Sequence, residues 1–403
     1  MPSGSFSRLF NNDILEFMKI TEVRTILLSQ EYTPDEVWGW SGGEVRVWNS
    51  ALVQVFTDDG VTGLGEMGTG HYLPEAARAI VESISPMLIG RDPFAIEVLQ
   101  RKLYQLGANW GRRGLAMGVI SGIENALWDL KGRALGVPVH SLLGGKQRDR
   151  IRAYASGGMA KPLDALKEEV IGYRERGFTA VKVRGGFSAV RDVEIARAVR
   201  EAVGTEVDVI LDAGQGYVPN PWTVIEAIQV TKALEELNLF FLEEPMRTDH
   251  IESYAQVRAA SRVPIAGGEN GCSIYEFKAL VDANALDILQ PDVTHAGGIA
   301  EVKRIAQYAE LYGKSIAPHV FRTGASFMAH LHLLAAIPNA LICEYQQIPN
   351  GLREDLLIEP LRMVNGEIVI PDTPGLGIHI TDEIIGKYPY QPGKIQRFKV
   401  ETE

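Results

Sequence analysis

From Ile151 onward, short apolar runs recur at regular intervals, separated by stretches whose apolar positions repeat with a helical period. The runs are IRAYASGG from Ile151, AVKVRGG from Ala180, DVILDAGQG from Asp208, LFFLEEP from Leu239, VPIAGGE from Val263, DILQPDV from Asp287, SIAPHV from Ser315 and LICEYQ from Leu341. Such alternation predicts a parallel sheet with crossover helices, and eight strands suffice to close a barrel. Two of the intervening stretches, VRDVEIARAVREAVG and AEVKRIAQYAELYG, end in the glycine that commonly stops a helix. A doubly wound open sheet shares this rhythm, but no G-x-G-x-x-G follows the first strand, and the barrel is preferred.

Residues 18–140 read differently. VRTILLSQ and ALVQVFTDDGVTGLGEM, the latter with a turn at Asp58-Asp59-Gly60, predict a hairpin-like start, and helices follow, among them ISGIENALWDLKGRALG from Ile120 to Gly136. Strands first and helices after predict a separate α+β unit. The expected layout is an extension without structure over 1–17, the α+β unit over 18–140, a barrel over 141–350, and a Pro- and Gly-rich segment over 351–403 that packs back on the first unit.

Length and composition narrow this picture only a little. The chain has 403 residues, 46% apolar and 23% charged, as in an ordinary globular enzyme with two domains. A net charge of −11 without a clustered basic run excludes a nucleic-acid or anionic-membrane partner, yet leaves an anionic small substrate open. No apolar run approaches the ~20 residues of a membrane span, and residues 1–17 lack the apolar core of a signal peptide. Cys272 and Cys343 are too few for a disulfide framework, so a cytoplasmic setting is expected, with both thiols as small buried residues.

Chemistry in a βα barrel gathers where the strands end. Three successive predicted strands carry an acid there: Asp212 in VILDAG, Glu243 in FLEEP and Glu269 in AGGEN. Any one of them alone would read as a helix cap or a loop ion pair. Three together would repel unless a cation held them, and a hard divalent ion such as Mg²⁺ suits all-oxygen donors. Glu244 cannot point the same way as Glu243 on a strand, so one of the two is the candidate ligand, and spacing alone does not choose. Asp292 ends ILQPD and His319 ends IAPH on the next two strands, and a carboxylate that orients an imidazole makes His319 a general base or acid. Lys182 and Arg184 project to one face of their strand and predict an anion nearby.

The ordered set LDAGQGY, FLEEP, AGGEN, QPDVTHAGG and APHV resembles the enolase superfamily, in particular its mandelate racemase subgroup, from about Lys19 to the PGLGI segment near Gly375. The resemblance implies an α/β fold: a modified (β/α)7β TIM-type barrel with an N-terminal α+β capping domain that the C-terminal tail completes. It implies that Asp212, Glu243 and Glu269 bind Mg²⁺, that Asp292 and His319 form the acid–base dyad, and that Glu344 hydrogen-bonds the substrate carboxylate. It also implies a homo-oligomer, and removal of a proton next to a carboxylate as the shared chemical step.

Where the family's usual pattern is Lys-x-Lys, this chain has Lys182 and Arg184. Arginine stays protonated near neutral pH and is a poor base, which disfavours racemisation. Lys182 is then expected against a carboxylate oxygen of the substrate. Arg184 is expected to contact a carboxylate or hydroxyls of the substrate, or to pair with one of the strand-end acids. Gly214 stands where related sequences often have Asn, with Gln215 as a possible replacement. With one base, the expected reaction is dehydration of a sugar acid, aldonic or aldaric, to a 2-keto-3-deoxy acid. A lactone cycloisomerase and then an epimerase are the alternatives. A Schiff base at Lys182 leaves the acid trio unexplained, and a binding protein without turnover leaves the dyad unexplained. Trp38, Trp40, His71 and Tyr72 suit a lid over the mouth, or packing at the domain interface; His295 and Arg322 are further groups within sequence reach of the dyad.

Overall fold

The computed structural model describes residues 18–394 and the short strand Arg397–Phe398; the 1–17 extension expected above lies outside the described residues. The α+β unit begins with an antiparallel sheet of Ile20–Glu31, Val47–Thr57 and Thr62–Glu66, in which Leu28 faces Ser50 and Val53 faces Gly65. The turn between the last two strands contains Gly60 at φ 86°, a left-handed conformation that glycine adopts without strain. Helices Pro74–Ile84, Ile96–Leu106 and Gly114–Leu135 follow. The longest is buried almost all round and lies directly on the third strand: a Cβ on Gly65 would come within 2.1 Å of Gly122 O.

All eight predicted barrel strands are present, at Arg150–Ser156, Ala180–Arg184, Asp208–Asp212, Phe241–Glu243, Ile265–Gly267, Ile288–Leu289, Ser315–Ile316 and Cys343–Gln346. Each of the first seven pairs in parallel with its successor except the seventh, which meets the eighth through a single parallel bridge from Ile316 to Ala340; the eighth pairs with the first. Helices follow the first seven strands, which gives the (β/α)7β order. Strand side chains alternate between the barrel interior and the helix layer. Tyr154, Ala180, Ile210, Phe241, Ala266, Ile288, Ala317 and Ile342 accordingly form one interior cluster. Moving two residues along several of these strands reaches Ser156, Lys182, Asp212, Glu243, His319 and Glu344, a polar layer above an apolar floor.

The ladder ends early on the sixth and seventh strands, at Leu289 and Ile316. Pro291 and Pro318 lie just beyond, and proline has no N–H to continue the pairing. Asp292 and His319 are therefore carried on extended segments past the paired sheet.

Two carboxylates of the α+β unit fix it to the barrel. Glu124 accepts from the N–H groups of Ile299 (2.7 Å) and Ala300 (2.9 Å), the first turn of the helix after the sixth strand. Glu66 accepts from Thr323 Oγ1 (2.6 Å) and Ser326 N (3.3 Å), at the start of the helix after the seventh. Each answers the unsatisfied donors of a helix N-terminus with buried carboxyl oxygens, while burial pushes the Glu124 carboxyl up to about 8 and raises that of Glu66. These are the helices that follow Asp292 and His319. The C-terminal segment touches both units: Ile368 pairs with Ile151 of the first barrel strand, Leu376 N donates to Asp129, and Leu28 bridges to Pro389. Cys272 and Cys343 are free and buried. Among the described residues no helix is long and apolar enough to cross a membrane.

Candidate active site

Register brings the polar residues together: Arg184 pairs with Asp212, Asp212 with Glu243, and Ser156 with Lys182. Lys182 Nζ stands 2.6 Å from Glu243 Oε1 and 3.3 Å from both Asp212 Oδ2 and Glu344 Oε1, with no exposed side-chain surface. It is placed as a cross-link among carboxylates rather than on the cavity wall. Arg184 pairs with Asp212 Oδ2 and packs under the Phe321 ring, 5.1 Å from its centroid. The anion that the two cations predicted is thus supplied by the chain itself.

Glu269 lies two residues past the paired strand, not at its end. Gly268, at φ 104°, turns the backbone so that the side chain reaches the mouth. Its Oε1 accepts from Tyr217 Oη at 2.5 Å, and its Oε2 is 3.8 Å from His319 Nε2. Burial raises the Glu269 carboxyl, but His319, Lys182, the Tyr217 bond and Arg184 outweigh it and hold it below the ordinary value. Burial and the Glu269 charge push Glu244 well up, and its Oε1 accepts from Gly268 N at 3.2 Å.

As placed, no three acidic, histidine or cysteine side chains among the described residues converge on one point at chelating distance, because Lys182 and Arg184 stand between them. The donor set nevertheless fits a hard divalent cation. Glu243 Oε2 is buried with no hydrogen-bond partner among the described residues, beside Asp212 and next to the strand that leads to Glu269. A buried carboxylate oxygen without a partner is costly, and a divalent cation would supply the contact that Lys182, held on Oε1, does not give Oε2. Binding at Asp212 competes with Arg184, since Oδ1 already accepts from Gly214 N (3.0 Å) and Oδ2 from the guanidinium.

His319 Nδ1 is 3.0 Å from Asp292 Oδ2, and Nε2 faces the cavity that His319 helps to line. Burial lowers the imidazole, but Glu269, Asp292 and Glu344 together hold it above its ordinary value. Burial raises Asp292, while Arg322, His319 and His330 hold it well below the carboxylate range. Glu344 has both oxygens engaged, Oε1 by Ser156 Oγ (2.6 Å) and Oε2 by Val320 N (2.7 Å), and does not line the cavity.

The cavity is about 130 Å³, a small-molecule site, and its walls include Trp38, Trp40, His71 and Tyr72 of the expected lid together with Arg184, Glu269 and His319. Trp38 also packs on Phe321 and Trp48, so lid and interface are one surface. His295 and Arg322 line it as well. Gln215 does not stand in for a side chain at position 214: its amide is buried, accepting from Trp222 N and donating to Ala213 O. Tyr217, which closes the LDAGQGY motif, and Trp48 and Phe321 also line the cavity and were not singled out from the sequence.

A closed barrel with three acids on successive strands and a histidine–aspartate pair on the next two is the framework of an acid–base enzyme acting on a small molecule. The chain belongs to the mandelate racemase / muconate lactonizing enzyme family: residues 37–144 match its N-terminal domain, and residues 165–384 match the family described as enolase C-terminal domain-like. It is similar to the D-galactarolactone cycloisomerase of Agrobacterium fabrum (38% identical over 92% of this chain and 99% of that one). It is also similar to the arabinonate dehydratase of Saccharolobus solfataricus (35% identical, 92% and 99%). Among solved structures, a member of the enolase superfamily from Polaromonas sp. JS666 superposes with TM-score 0.84 at 35% identity, over 93% and 99%.

Proposed function

We propose that the protein is a Mg²⁺-dependent lyase that dehydrates an aldonic or aldaric sugar acid to a 2-keto-3-deoxy acid. The observation that carries this reading is the oriented base at the cavity: His319 held by Asp292 at 3.0 Å, with arginine rather than a second lysine at position 184. Membership in an enzyme family whose similar relatives act on sugar acids and their lactones supports it.

In the proposed reaction His319 Nε2 takes the proton α to the carboxylate, and Asp292 stabilises the imidazolium that results. The imidazolium then gives that proton to the departing β-hydroxide, and the enol ketonises. Arg184, on the cavity wall, holds the substrate carboxylate, while Lys182 keeps Asp212, Glu243 and Glu344 together beneath it. Asp212, Glu243 and Glu269 would hold Mg²⁺, which supplies Lewis-acid stabilisation of the charge that develops on the carboxylate. The aromatic lid excludes water from the closed site.

Opening of a sugar-acid lactone is the second reading. It uses the same base with a ring oxygen as leaving group, and the apolar faces of Trp38, Trp48 and Phe321 on the cavity wall suit a ring. Proton NMR of the protein with Mg²⁺ in D₂O, against aldonic acids, aldaric acids and their lactones, separates the two. A 3-deoxy signal from an open-chain acid is expected, with kcat reduced by about 10²–10⁴-fold in His319→Asn. Turnover of lactones alone establishes the second reading, and α-deuterium exchange without elimination overturns both.

A further inference from the structure

His71 stands in the short helix Gly68–His71 of the lid, 8% exposed, stacked on Trp48 with ring centroids 5.0 Å apart and lining the cavity. Its Nδ1 has two close neighbours, Arg322 Nη1 at 2.7 Å and Gly68 O at 2.9 Å. One ring nitrogen cannot accept from the first and donate to the second. Arginine does not give up its proton in a protein, and a hydrogen bond from a charged donor is the stronger, so Nδ1 presents its lone pair to Arg322. The imidazole proton then resides on Nε2.

That Nε2 has no hydrogen-bond partner among the described residues and is not among the fully enclosed polar atoms. The ring is held by Trp48 and Tyr72, so its open direction is the cavity. The same guanidinium reaches Thr294 Oγ1 at 3.1 Å and Asp292 Oδ2 at 3.4 Å. Arg322 therefore ties a lid donor to the carboxylate that orients His319, across 251 residues of chain. Burial and the Arg322 charge lower the His71 imidazole well below its ordinary value, which keeps it neutral.

We propose that His71, fixed by Arg322 as the neutral Nε2–H tautomer, is a specificity-determining residue that donates a hydrogen bond to an uncharged oxygen, hydroxyl or ring ether, of the sugar-acid substrate. The proposal rests on the reading of the site as one for sugar acids. A neutral imidazole N–H is far too weak an acid to protonate a leaving group, so that task stays with His319.

The test combines a spectroscopic and a kinetic measurement on the full chain with Mg²⁺. Long-range ¹⁵N–¹H correlation of histidine-labelled protein, with His71→Phe for assignment, is expected to show a neutral Nε2-protonated ring from about pH 5.5 to 8.5, either side of the usual imidazole value. An Nδ1-protonated ring, or titration within that range, overturns the proposal. His71→Phe keeps a ring against Trp48 but removes the donor, and is expected to raise KM about 5–10-fold while changing kcat less. His71→Gln, which restores an N–H near the same place, is expected to recover most of that loss. Equal KM in the two variants, or a KM unchanged in His71→Phe, overturns it. If no sugar acid or lactone is turned over, the functional reading falls, and the Nε2–H signal is followed on addition of D-arabinonate and of D-galactarolactone instead. A shift with either supports the proposal, and no shift with both overturns it.

Discussion

Lys182 Nζ lies 2.6 Å from Glu243 Oε1 with neither side chain exposed, so the innermost cation of the barrel mouth balances acids of its own chain. Removing it leaves Glu243, Asp212 and Glu344 facing one another without their common partner. Lys182→Met is expected to lose about 3–5 kcal/mol of stability in EDTA, as for a broken buried ion pair, and Mg²⁺ is expected to return part of it. Chemical denaturation with and without the metal checks this; equal midpoints in the two conditions would count against a cation site among these acids.

Arg184 stands where the family resemblance implies a second lysine, and in the proposed reaction arginine is a poor base near neutral pH. Arg184→Lys is expected to introduce deuterium at the α-carbon of the substrate in D₂O without elimination, while the dehydration rate falls. Proton NMR reads both at once. A slower enzyme with no exchange would show that position 184 does not present a side chain to the opposite face.

Burial raises Glu344, but Lys182, His319 and Arg184 outweigh it and pull the carboxyl down to about 2. A depressed folded value means stability that is complete above the unfolded value of 4.5 and lost as pH falls towards 2. The native protein is expected to lose on the order of 3 kcal/mol over that window from this group, and Glu344→Gln to show a shallower dependence. Denaturant midpoints measured across the acid range decide it.

Glu124 carries no chemistry and is expected to matter for stability alone. Glu124→Ala leaves Ala300 N and the Trp128 indole without their acceptor, and Ile299 N with Asn125 Oδ1 alone, at a cost of about 1–3 kcal/mol. Glu124→Gln, which keeps an acceptor oxygen, is expected to lose less. Thermal unfolding ranks the three proteins, and equal midpoints would mean that the helix start is satisfied in another way.

The barrel was legible because its signals are local. Apolar runs of strand length, helical repeats between them and glycines at helix ends are set by neighbours along the chain, and they located all eight strands. Strand ends were less legible where proline cuts the ladder, at Pro291 and Pro318, or where Gly268 turns Glu269 back to the mouth. The acids and His319 stood out because charged residues at the ends of buried strands contrast with the apolar run before them. What such residues touch was not legible: Glu344, expected to hydrogen-bond the substrate carboxylate, has both oxygens engaged within the chain, and Gln215, expected as a replacement at Gly214, is a buried structural amide.

By itself the sequence determined the alternation of strands and helices, the order of the acids and the arginine at position 184, since each depends on residue type and short-range spacing. The tertiary structure alone decided what those groups touch. Tyr217 meets Glu269 across 52 residues, His71 meets Arg322 across 251, and Glu66 caps a helix 257 residues away. Closing a barrel brings together side chains whose separation along the chain carries no trace of their contact. Whether a cation there binds substrate or steadies its own carboxylates depends on distances that only packing sets.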